Sequence, residues 1–361
     1  MFERQVGAAR GLRPRAASLN AYLSSVTASR FDSPYHAPVM VAEVCHYLSG
    51  AEAKPEAGDA QPSLAGRRIL DGTLGGGGHS AALVEFGADV TGVDRDPNAI
   101  VEASARLAAQ VAAGTFRAIE TNFGDAASAP RLEGQEFDGI LLDLGVSSHQ
   151  FDDAARGFSF REGAPLDMRM EFMSGGGAMN AADFLNESDE AELALAFRDY
   201  ADERKADRMA REVVRRRDNT LFATSDDLVG VIRAVLGPRS GPPDFARIFQ
   251  AVRIAVNDEI GVLGRALPQL RDRLAPSGVI AVITYHSGED RLVKHAFRDW
   301  SRSCVCPPRH PICTCGANNA LGDVVTRKAV TAAADEILRN ARARSAKLRA
   351  WRRRSRPMTA K

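Results

Sequence analysis

The sequence predicts an α/β fold in which a mostly parallel sheet carries an inserted helical domain. Strand-like and helix-like segments alternate from residue 67 to 143, the alternation stops from about 151 to 246, and it returns from 247 onward. Such alternation is typical of a parallel sheet with helices on both faces. The predicted strands lie near residues 68–71, 89–93, 115–119, 137–142, 279–284 and 324–326, and the predicted helices near 79–86, 97–112, 188–217, 224–236, 247–274 and 289–301.

Length and charge limit the function classes. The chain has 361 residues and a formal net charge of +1, so it can bury an ample core, and any affinity for nucleic acid must come from local clusters. It contains no apolar run long enough to span a membrane and no secretory signal at its start. Residues 1–34 contain arginine, alanine and serine, and we predict a disordered extension rather than a transit peptide, with a cytoplasmic location.

Four consecutive glycines, Gly75 to Gly78, follow the first predicted strand and open a helix. Glycine lets a ligand approach the backbone closely, and a helix start offers free N–H groups to an anion. The next strand ends at Asp94, where a carboxylate can accept hydrogen bonds from both hydroxyls of a ribose. Asp96 with Pro97 has the pattern of a helix cap, which leaves Asp94 as the ribose ligand. The loop and Asp94 together predict a nucleoside-containing cofactor.

The glycine loop does not by itself identify that cofactor. The dinucleotide fingerprint fails because Ser80 occupies the position of the third glycine, and a phosphate-binding P-loop requires a lysine that the loop lacks. S-adenosylmethionine, whose anion is an amino-acid carboxylate, is the remaining candidate. A tight turn without a ligand is the alternative, which Asp71 and His79 on either side of the glycines make less favourable.

Polar residues also follow the other predicted strands. Ligands of open α/β sheets bind beyond the carboxyl ends of the strands, so we expect these residues at one crevice. Asp143 ends the fourth strand, near the expected centre of methyl transfer. Phe123 either stacks on an adenine or fills the core. His286, in a second polar strand end, is either a proton acceptor or a hydrogen-bonded structural histidine.

Four of the five cysteines occur as two Cys-x-Cys pairs, Cys304 with Cys306 and Cys313 with Cys315. Such pairs can ligate a structural zinc, but the usual spacing of zinc ligands is Cys-x₂₋₄-Cys. Free thiols in a loop are an equal alternative, and we predict no metal.

Many longer motifs follow one another in a single order, which is more specific than any one glycine loop. Through these motifs the chain resembles the bacterial RsmH (MraW) family, whose members methylate the exocyclic amine of a decoding-centre cytidine in small-subunit ribosomal RNA. The motifs are His36-Ala37-Pro38-Val39, Asp71 to Ser80, Asp94 to Pro97, Leu142 to Ser148, Gly157 to Arg161, Pro165 to Met170, Ile248 to Ala251, Arg253 to Glu259, Tyr285-His286-Ser287 and Arg342 to Arg349.

The resemblance implies a Rossmann-like S-adenosylmethionine-dependent methyltransferase fold, and it implies transfer of a methyl group to N(4) of a P-site cytidine in 16S ribosomal RNA. It favours cofactor contact for Phe123. The residues that it implies for binding S-adenosylmethionine are Gly77, Gly78, His79, Asp94, Phe123, Asp143 and Gln150.

Asp143 is our candidate for the catalytic residue. The lone pair of a cytosine amine is conjugated with the ring, and an acceptor at its N–H can localise that pair as the methyl group arrives. Two rival functions remain. A DNA amino-methyltransferase typically shows Asn/Asp-Pro-Pro-Tyr after the fourth strand, where this chain has Asp143-Leu144-Gly145-Val146. A non-catalytic RNA-binding assembly factor would hold the cofactor without turnover. A nicotinamide dehydrogenase is a distant further alternative.

We predict a discontinuous methyltransferase domain, residues 35–150 and 247–335, and a helical substrate-recognition domain at 151–246. A basic C-terminal tail, 336–361, completes the predicted organisation. The expected partner is 16S ribosomal RNA or the small subunit, with no membrane, and the sequence leaves a monomer and a homodimer open.

Two groups of residues are candidates for contact with RNA. Ten Lys/Arg and no Asp/Glu lie between Arg339 and Lys361, and a second basic cluster spans Arg204 to Arg217; we expect both to contact phosphates. Aromatic, methionine and arginine side chains of the insertion either shape an entrance for the base or pack against the sheet: Phe158, Phe160, Arg161, Met168, Arg169 and Met170.

Overall fold

A computed structural model describes residues 31–32, 37–52, 62–145, 156–170, 179–307 and 312–355. Its strands are β1 Arg68–Asp71, β2 Asp89–Asp94, β3 Phe116–Glu120, β4 Phe137–Asp143, β5 Leu274–Thr284, β6 Gly322–Val324, β7 Val330–Thr331 and β8 Lys347–Arg353. Its helices are α1 Val41–Leu48, α2 Gly78–Glu85, α3 Pro97–Arg106, α4 Ala108–Ala113, α5 Ala181–Glu187, α6 Glu190–Ala201, α7 Ala206–Arg217, α8 Ser225–Leu236, α9 Pro242–Val256, α10 Glu259–Asp272, α11 Ser287–Trp300 and α12 Ala334–Arg339.

The strands form one sheet in the order β3-β2-β1-β4-β5-β8-β6, and β7 pairs with β8. Neighbours from β3 through β5 are parallel, whereas β8 is antiparallel to β5 and β6. The chain order reverses at β1, which lies between β2 and β4, and such a switch point opens a crevice beyond the strand ends. The predicted fold class, an α/β fold with a mostly parallel sheet, is confirmed.

Helices cover both faces of the sheet. One apolar cluster holds side chains of α1, α2 and α3 against one face, and it includes Leu48, Leu83 and Ala103. The other cluster holds α10 and α11 against the opposite face, with Leu267 and Phe297 fully buried. Asp96 accepts a hydrogen bond from the Asn98 N–H at 2.9 Å and Pro97 opens α3, as the predicted cap requires.

The helical region has an apolar core of its own, made by side chains between Phe158 and Val252. This core includes Phe245, Ile248 and Val252 of α9, so it extends beyond the predicted boundary at residue 246. The apolar face of α9 packs against α6 and α8 instead of the sheet, so α9 belongs to the helical region.

Two long predicted helices are each divided in two. The predicted helix 188–217 is α6 and α7, separated at Asp202, where φ is +49°. The predicted helix 247–274 is α9 and α10, separated at Asp258, where φ is +46°. A left-handed backbone ends a helix whatever the propensity of its neighbours. No helix in the described part of the chain is long and apolar enough to cross a membrane.

The prediction that residues 336–361 form a basic tail is wrong for its described part. Residues 347–353 are β8, a strand inside the sheet, and Trp351 is fully buried. The arginines of this strand also have partners: Arg349 binds Asp290, with 2.7 Å between Nε and Oδ1, and Arg352 binds Glu52. These arginines stabilise the sheet. Because carboxylates already engage their guanidinium groups, they are poorly placed to contact phosphates. Phe31, inside the predicted extension, is buried in the core.

Candidate functional site

The glycine loop is held between the two strands that flank β1. The Gly72 N–H donates to the Leu141 carbonyl at 2.9 Å, and the Leu74 N–H donates to Val93 at 3.0 Å. Gly75 and Gly77 have φ of +49° and +73°, a backbone region that favours glycine. At Gly78, where α2 begins, an added Cβ would lie 3.0 Å from the Pro38 ring. The glycines therefore permit a loop conformation and a close contact at the crevice that a residue with a Cβ would strain.

Asp71 fixes this loop from beneath. Its buried carboxylate accepts hydrogen bonds from the Ser80 hydroxyl at 2.7 Å and from the Thr73 N–H at 3.2 Å. Burial raises the pKa of Asp71, and the nearby His79 and these hydrogen bonds oppose that rise. Asp71 ties the end of β1 to α2, which makes it a positioning residue of the loop.

Asp94 lies at the end of β2 and faces the glycine loop. One carboxylate oxygen accepts from the Gly75 N–H at 2.8 Å and the other accepts from the Asp96 N–H at 2.9 Å. Burial raises the pKa of Asp94, against the opposing effect of these two N–H groups. Each carboxylate oxygen has two lone pairs, so capacity remains for two hydroxyl donors.

Asp143 ends β4 and is buried. Its N–H donates to the Thr73 hydroxyl at 2.7 Å, and its Oδ2 lies 3.7 Å from Nδ1 of His79. The other ring nitrogen of His79 lies 2.8 Å from the Val39 carbonyl oxygen. The Tyr285 ring packs against Gly145, close to this carboxylate. A histidine from α2 and a tyrosine from the end of β5 thus lie beside Asp143.

Gly145 makes the contact between Tyr285 and Asp143 possible. A Cβ on Gly145 would lie 2.9 Å from the Tyr285 ring, closer than real side-chain contacts. Burial raises the pKa of Tyr285 well above its usual value, and the Asp143 carboxylate adds to the rise. The phenol therefore stays protonated and remains a donor at any physiological pH.

The far wall of the crevice comes from the junction between the helical region and the sheet. The Asn257 side chain donates to the Met168 carbonyl at 2.8 Å and accepts from the Met170 N–H at 2.8 Å. Glu259 binds Arg253 through two hydrogen bonds of 2.7 and 2.9 Å. Asn257 and Glu259 therefore join the two parts of the chain at the crevice.

His286 has a structural role. Its Nδ1 accepts the Glu289 N–H at 3.4 Å at the start of α11, and its Nε2 lies 3.1 Å from a Glu289 carboxylate oxygen. Glu289 in turn accepts from the Tyr285 N–H at 2.8 Å. Both ring nitrogens thus face Glu289, and the geometry favours the structural alternative for His286. Glu259, His286 and Glu289 lie close enough to hold a metal ion, but Arg253 and backbone N–H groups already occupy the two carboxylates.

These walls enclose an open cavity of about 1100 Å³, including its mouth. Five of the predicted cofactor residues line it: Gly78, His79, Asp94, Phe123 and Asp143. Gly77 lies beside the cavity, and its Cα faces Ala103 of α3. Gln150 lies outside the described residues.

Comparison with known proteins relates this cavity to a family. The model of the MraW methylase family matches residues 33–354. The ribosomal RNA small subunit methyltransferase H of Gemmatimonas aurantiaca is 59% identical over 318 residues, which are 88% of this chain and 95% of that protein. The protein of the same name from Heliobacterium mobile is 43% identical over 323 residues, 87% of this chain and 97% of that protein. The chain belongs to the MraW methylase family.

A solved rRNA methylase from Streptococcus thermophilus covers 81% of this chain and 89% of its own, with 9% identity and a TM-score of 0.35. A structural similarity this low does not bear on function. The family resemblance predicted from the sequence motifs is confirmed, and S-adenosylmethionine is the methyl donor of this MraW-family chain.

The cavity suits that donor. The start of α2 lies at the cavity, and the Asp94 carboxylate keeps free acceptor capacity there. Phe123, Val262 and Leu263 give the cavity an apolar wall. A side chain at Gly75 would meet no atom within 4 Å, so this part of the loop is open to a ligand.

Several residues at the cavity had no assigned role in the sequence. Thr73, Asn257, Glu259 and Glu289 all line it. All but Glu289 belong to motifs that carry the family resemblance, and Glu289 follows Tyr285-His286-Ser287 closely. Their spacing gave no physical reason to bring them to β1, because contacts between distant segments place them there.

Proposed function

We propose that the protein transfers a methyl group from S-adenosylmethionine to the exocyclic N(4) amine of the P-site cytidine in 16S ribosomal RNA. The observation that carries the proposal is the buried Asp143 carboxylate, which lies at the wall of the cofactor cavity with His79 and Tyr285 beside it. Two relatives named ribosomal RNA small subunit methyltransferase H support the RNA substrate.

Each cofactor residue would contact a different part of the donor. The N–H groups at Gly78 and the start of α2 hold the carboxylate of the donor, Asp94 binds the ribose, and Phe123 contacts the adenine. Gly77 would shape the loop, and the family resemblance implies Gln150 as a further cofactor contact. Bound S-adenosylmethionine supplies an electrophilic methyl group next to Asp143.

Asp143 would accept a hydrogen bond from the cytosine amine. This interaction localises the nitrogen lone pair and takes up the positive charge that develops on the nitrogen. A hydrogen bond to a charged group contributes about 1.5–3 kcal/mol, so alignment of the reacting groups must supply the larger part of the acceleration. The bond from the Asp143 N–H to the Thr73 hydroxyl fixes the backbone at the end of β4, and Asp143 also lies in contact range of the cofactor site.

The helical region would present the base. A base must leave its stack to reach a buried methyl group. Phe158, Met168 and Met170 are buried in the helical core, which favours the packing alternative for them, although Met170 also reaches the cavity. Phe160 is 37% exposed beside Phe245 and Phe249, and it is the aromatic side chain that we propose for contact with RNA.

We propose a domain division that follows the apolar cores: residues 35–150 and 257–335 bind the cofactor, and residues 151–256, which include all of α9, recognise the substrate. The partner would be 16S ribosomal RNA or the small subunit, in the cytoplasm. A measurement of molecular mass in solution would distinguish a homodimer from a monomer.

One experiment separates this function from its rivals. Small subunits, naked 16S RNA and duplex DNA are each incubated with labelled S-adenosylmethionine and digested to nucleosides. We expect labelled N(4)-methylcytidine from RNA. Label in deoxynucleosides would indicate a DNA amino-methyltransferase, and RNA binding without label would indicate an assembly factor.

A further inference from the structure

The segment between α11 and β6 carries four cysteines that the methyl-transfer site does not use. They are Cys304, Cys306, Cys313 and Cys315, and all four lie near the protein surface. The fifth cysteine, Cys45, is buried in α1. The grouping of four thiols at one place is a tertiary feature, since the two pairs come from separate stretches of the segment.

The sulfur atoms converge on one point. Cys304 Sγ lies 3.7 Å from Cys313 Sγ and 3.7 Å from Cys315 Sγ, and Cys313 and Cys315 are 3.6 Å apart. Cys306 completes a group in which all four sulfurs lie within 4.8 Å of one another. Zinc binds thiolate at about 2.3 Å, so the edge of a tetrahedral four-sulfur site is about 3.8 Å. The observed separations match that edge, whereas a disulfide requires about 2.05 Å.

The local backbone explains why Cys-x-Cys spacing suffices here. The two cysteines of each pair are one residue apart, and the sulfurs of both pairs converge. The two stretches also exchange hydrogen bonds: the Val305 N–H donates to Cys315 Sγ and the Thr314 N–H donates to Cys306 Sγ, both at 3.4 Å. Each stretch thus supplies two ligands and one N–H···S bond.

These N–H···S bonds favour the thiolate form, which is the form that binds metal.

The segment has little apolar packing to hold it together. Val305 is 59% exposed and Ile312 is 72% exposed. At its base, Asn319 donates to the Ser303 carbonyl at 2.9 Å and the Leu321 N–H donates to Trp300 at 2.8 Å. A small unit without a core gains its order from a cross-link, and a metal ion is one such cross-link.

We propose that Cys304, Cys306, Cys313 and Cys315 bind one zinc ion in a tetrahedral structural site. Four thiolates select zinc or iron among the common metals, and a closed site with no open position is typical of structural zinc. Binding releases the remaining thiol protons to solvent and involves no change of oxidation state. The sequence prediction of no metal relied on spacing within one stretch, and the structure brings two stretches together. The proposal does not depend on the identity of the methylated RNA.

The metal content of the full chain tests the proposal. The protein is expressed without a polyhistidine tag, purified under reducing conditions and analysed by mass spectrometry for metals. We expect about one zinc per chain. The double variant Cys306→Ser/Cys315→Ser should retain less than about a tenth of it, because two of four ligands are lost. Cys45→Ala, which removes the buried fifth cysteine, is the matched control and should keep the zinc.

Replacement of zinc by cobalt gives a second measurement that needs no variant. Tetrahedral cobalt with four thiolates shows intense visible absorption, which we expect for the unmodified chain and for Cys45→Ala. Hydrogen exchange at the amides of Val305, Thr314 and Asn319 should accelerate by roughly tenfold or more after chelation, while β4 and β5 are unchanged.

Three outcomes would overturn the proposal. The first is a chain that contains no zinc and shows no thiolate–cobalt absorption after reconstitution. The second is a Cys–Cys disulfide among these residues in protein kept under reducing conditions. The third is iron in place of zinc. If the double variant fails to fold, the metal content and cobalt spectrum of the unmodified chain decide.

Discussion

The sheet carries two charge-rich regions that use their charges in opposite ways. At the carboxyl ends of β1, β2 and β4, the carboxylates of Asp71, Asp94 and Asp143 are held by backbone N–H groups, hydroxyls and a histidine ring. Along β8 and just after it, the arginines meet carboxylates directly, as Arg349 meets Asp290 and Arg354 meets Asp323. The first arrangement keeps negative charge at a cavity, whereas the second neutralises positive charge, inside the structure at Arg349 and at the surface at Arg354.

The difference shows that a run of charges in a sequence has no fixed meaning. Carboxylates fixed by neutral donors keep their charge and acceptor capacity available to a ligand. Arginines paired with carboxylates contribute to the stability of the sheet, and breaking a buried pair costs more than the pair contributes. Substitutions in the two regions should therefore affect different measurements.

The largest effect is expected at Asp143. Asp143→Asn removes the charged acceptor for the amine, and we expect turnover to fall by about 100-fold or more, since a positioned proton acceptor contributes about 10²–10⁴-fold. Single-turnover kinetics with labelled donor would measure it. Asp138→Asn, at the opposite end of the same strand, is the control and should retain turnover. Full activity of Asp143→Asn with unchanged cofactor affinity would exclude the acceptor role.

The next largest effect concerns β8. Arg349→Met leaves the largely buried Asp290 without its partner, and we expect a loss of about 2–4 kcal/mol in the free energy of unfolding. Denaturant titration would measure it. Arg354→Met, which breaks the exposed pair with Asp323, should cost less than about 1 kcal/mol. Equal losses for the two variants would contradict the distinction between a buried and a surface pair.

At Asp94 the expected change is in cofactor affinity. Asp94→Asn replaces one acceptor oxygen with an NH₂ group that faces a backbone N–H, so we expect affinity for S-adenosylmethionine to weaken by about 10–100-fold. Isothermal titration calorimetry would measure it, and the free energy of unfolding should change far less. A variant with unaltered affinity would show that the ribose is held elsewhere.

The pH dependence of cofactor affinity follows from the same carboxylate. Burial raises the pKa of Asp94, and the charged form is the better acceptor. Affinity should be full above this pKa and should fall as the pH drops through it, beginning at a higher pH than the ordinary aspartate value of about 3.9 allows. Because burial also raises the pKa of Asp71, the comparison with Asp94→Asn isolates the contribution of Asp94. Identical pH profiles of cofactor affinity for the unmodified protein and for Asp94→Asn would contradict this role of Asp94.

The smallest effect is expected on α7. Arg208, Arg211 and Arg215 are all exposed, but Arg215 pairs with Glu212, and the less exposed Arg216 pairs with Asp227. Arg208→Gln/Arg211→Gln should reduce the salt dependence of RNA binding, with a change of roughly 0.7–0.9 in the log–log slope per lost phosphate contact. Filter binding at several salt concentrations would measure the slope. Arg215→Gln is the control on the same helix, and an equal change per residue there would show that the ion pair with Glu212 does not keep an arginine from RNA.

The sequence by itself determined the alternation of strands and helices, the glycine loop and the carboxylates at the strand ends. These are local signals: apolar periodicity, the conformational freedom of Gly75 and Gly77, and the cap at Asp96 depend on neighbouring residues only. The family motifs also led to the residues of the cavity, because each motif lies within a short stretch of chain.

Tertiary structure alone decided the features that depend on distant partners. The basic segment at 347–353 is a sheet strand because Trp351 and Leu348 are buried and its arginines find carboxylates and carbonyls elsewhere. The breaks at Asp202 and Asp258 arise from left-handed backbone that helix propensity does not reveal. Tyr285 reaches Asp143 across Gly145, and two cysteine pairs meet, because packing brings together segments that are separate along the chain.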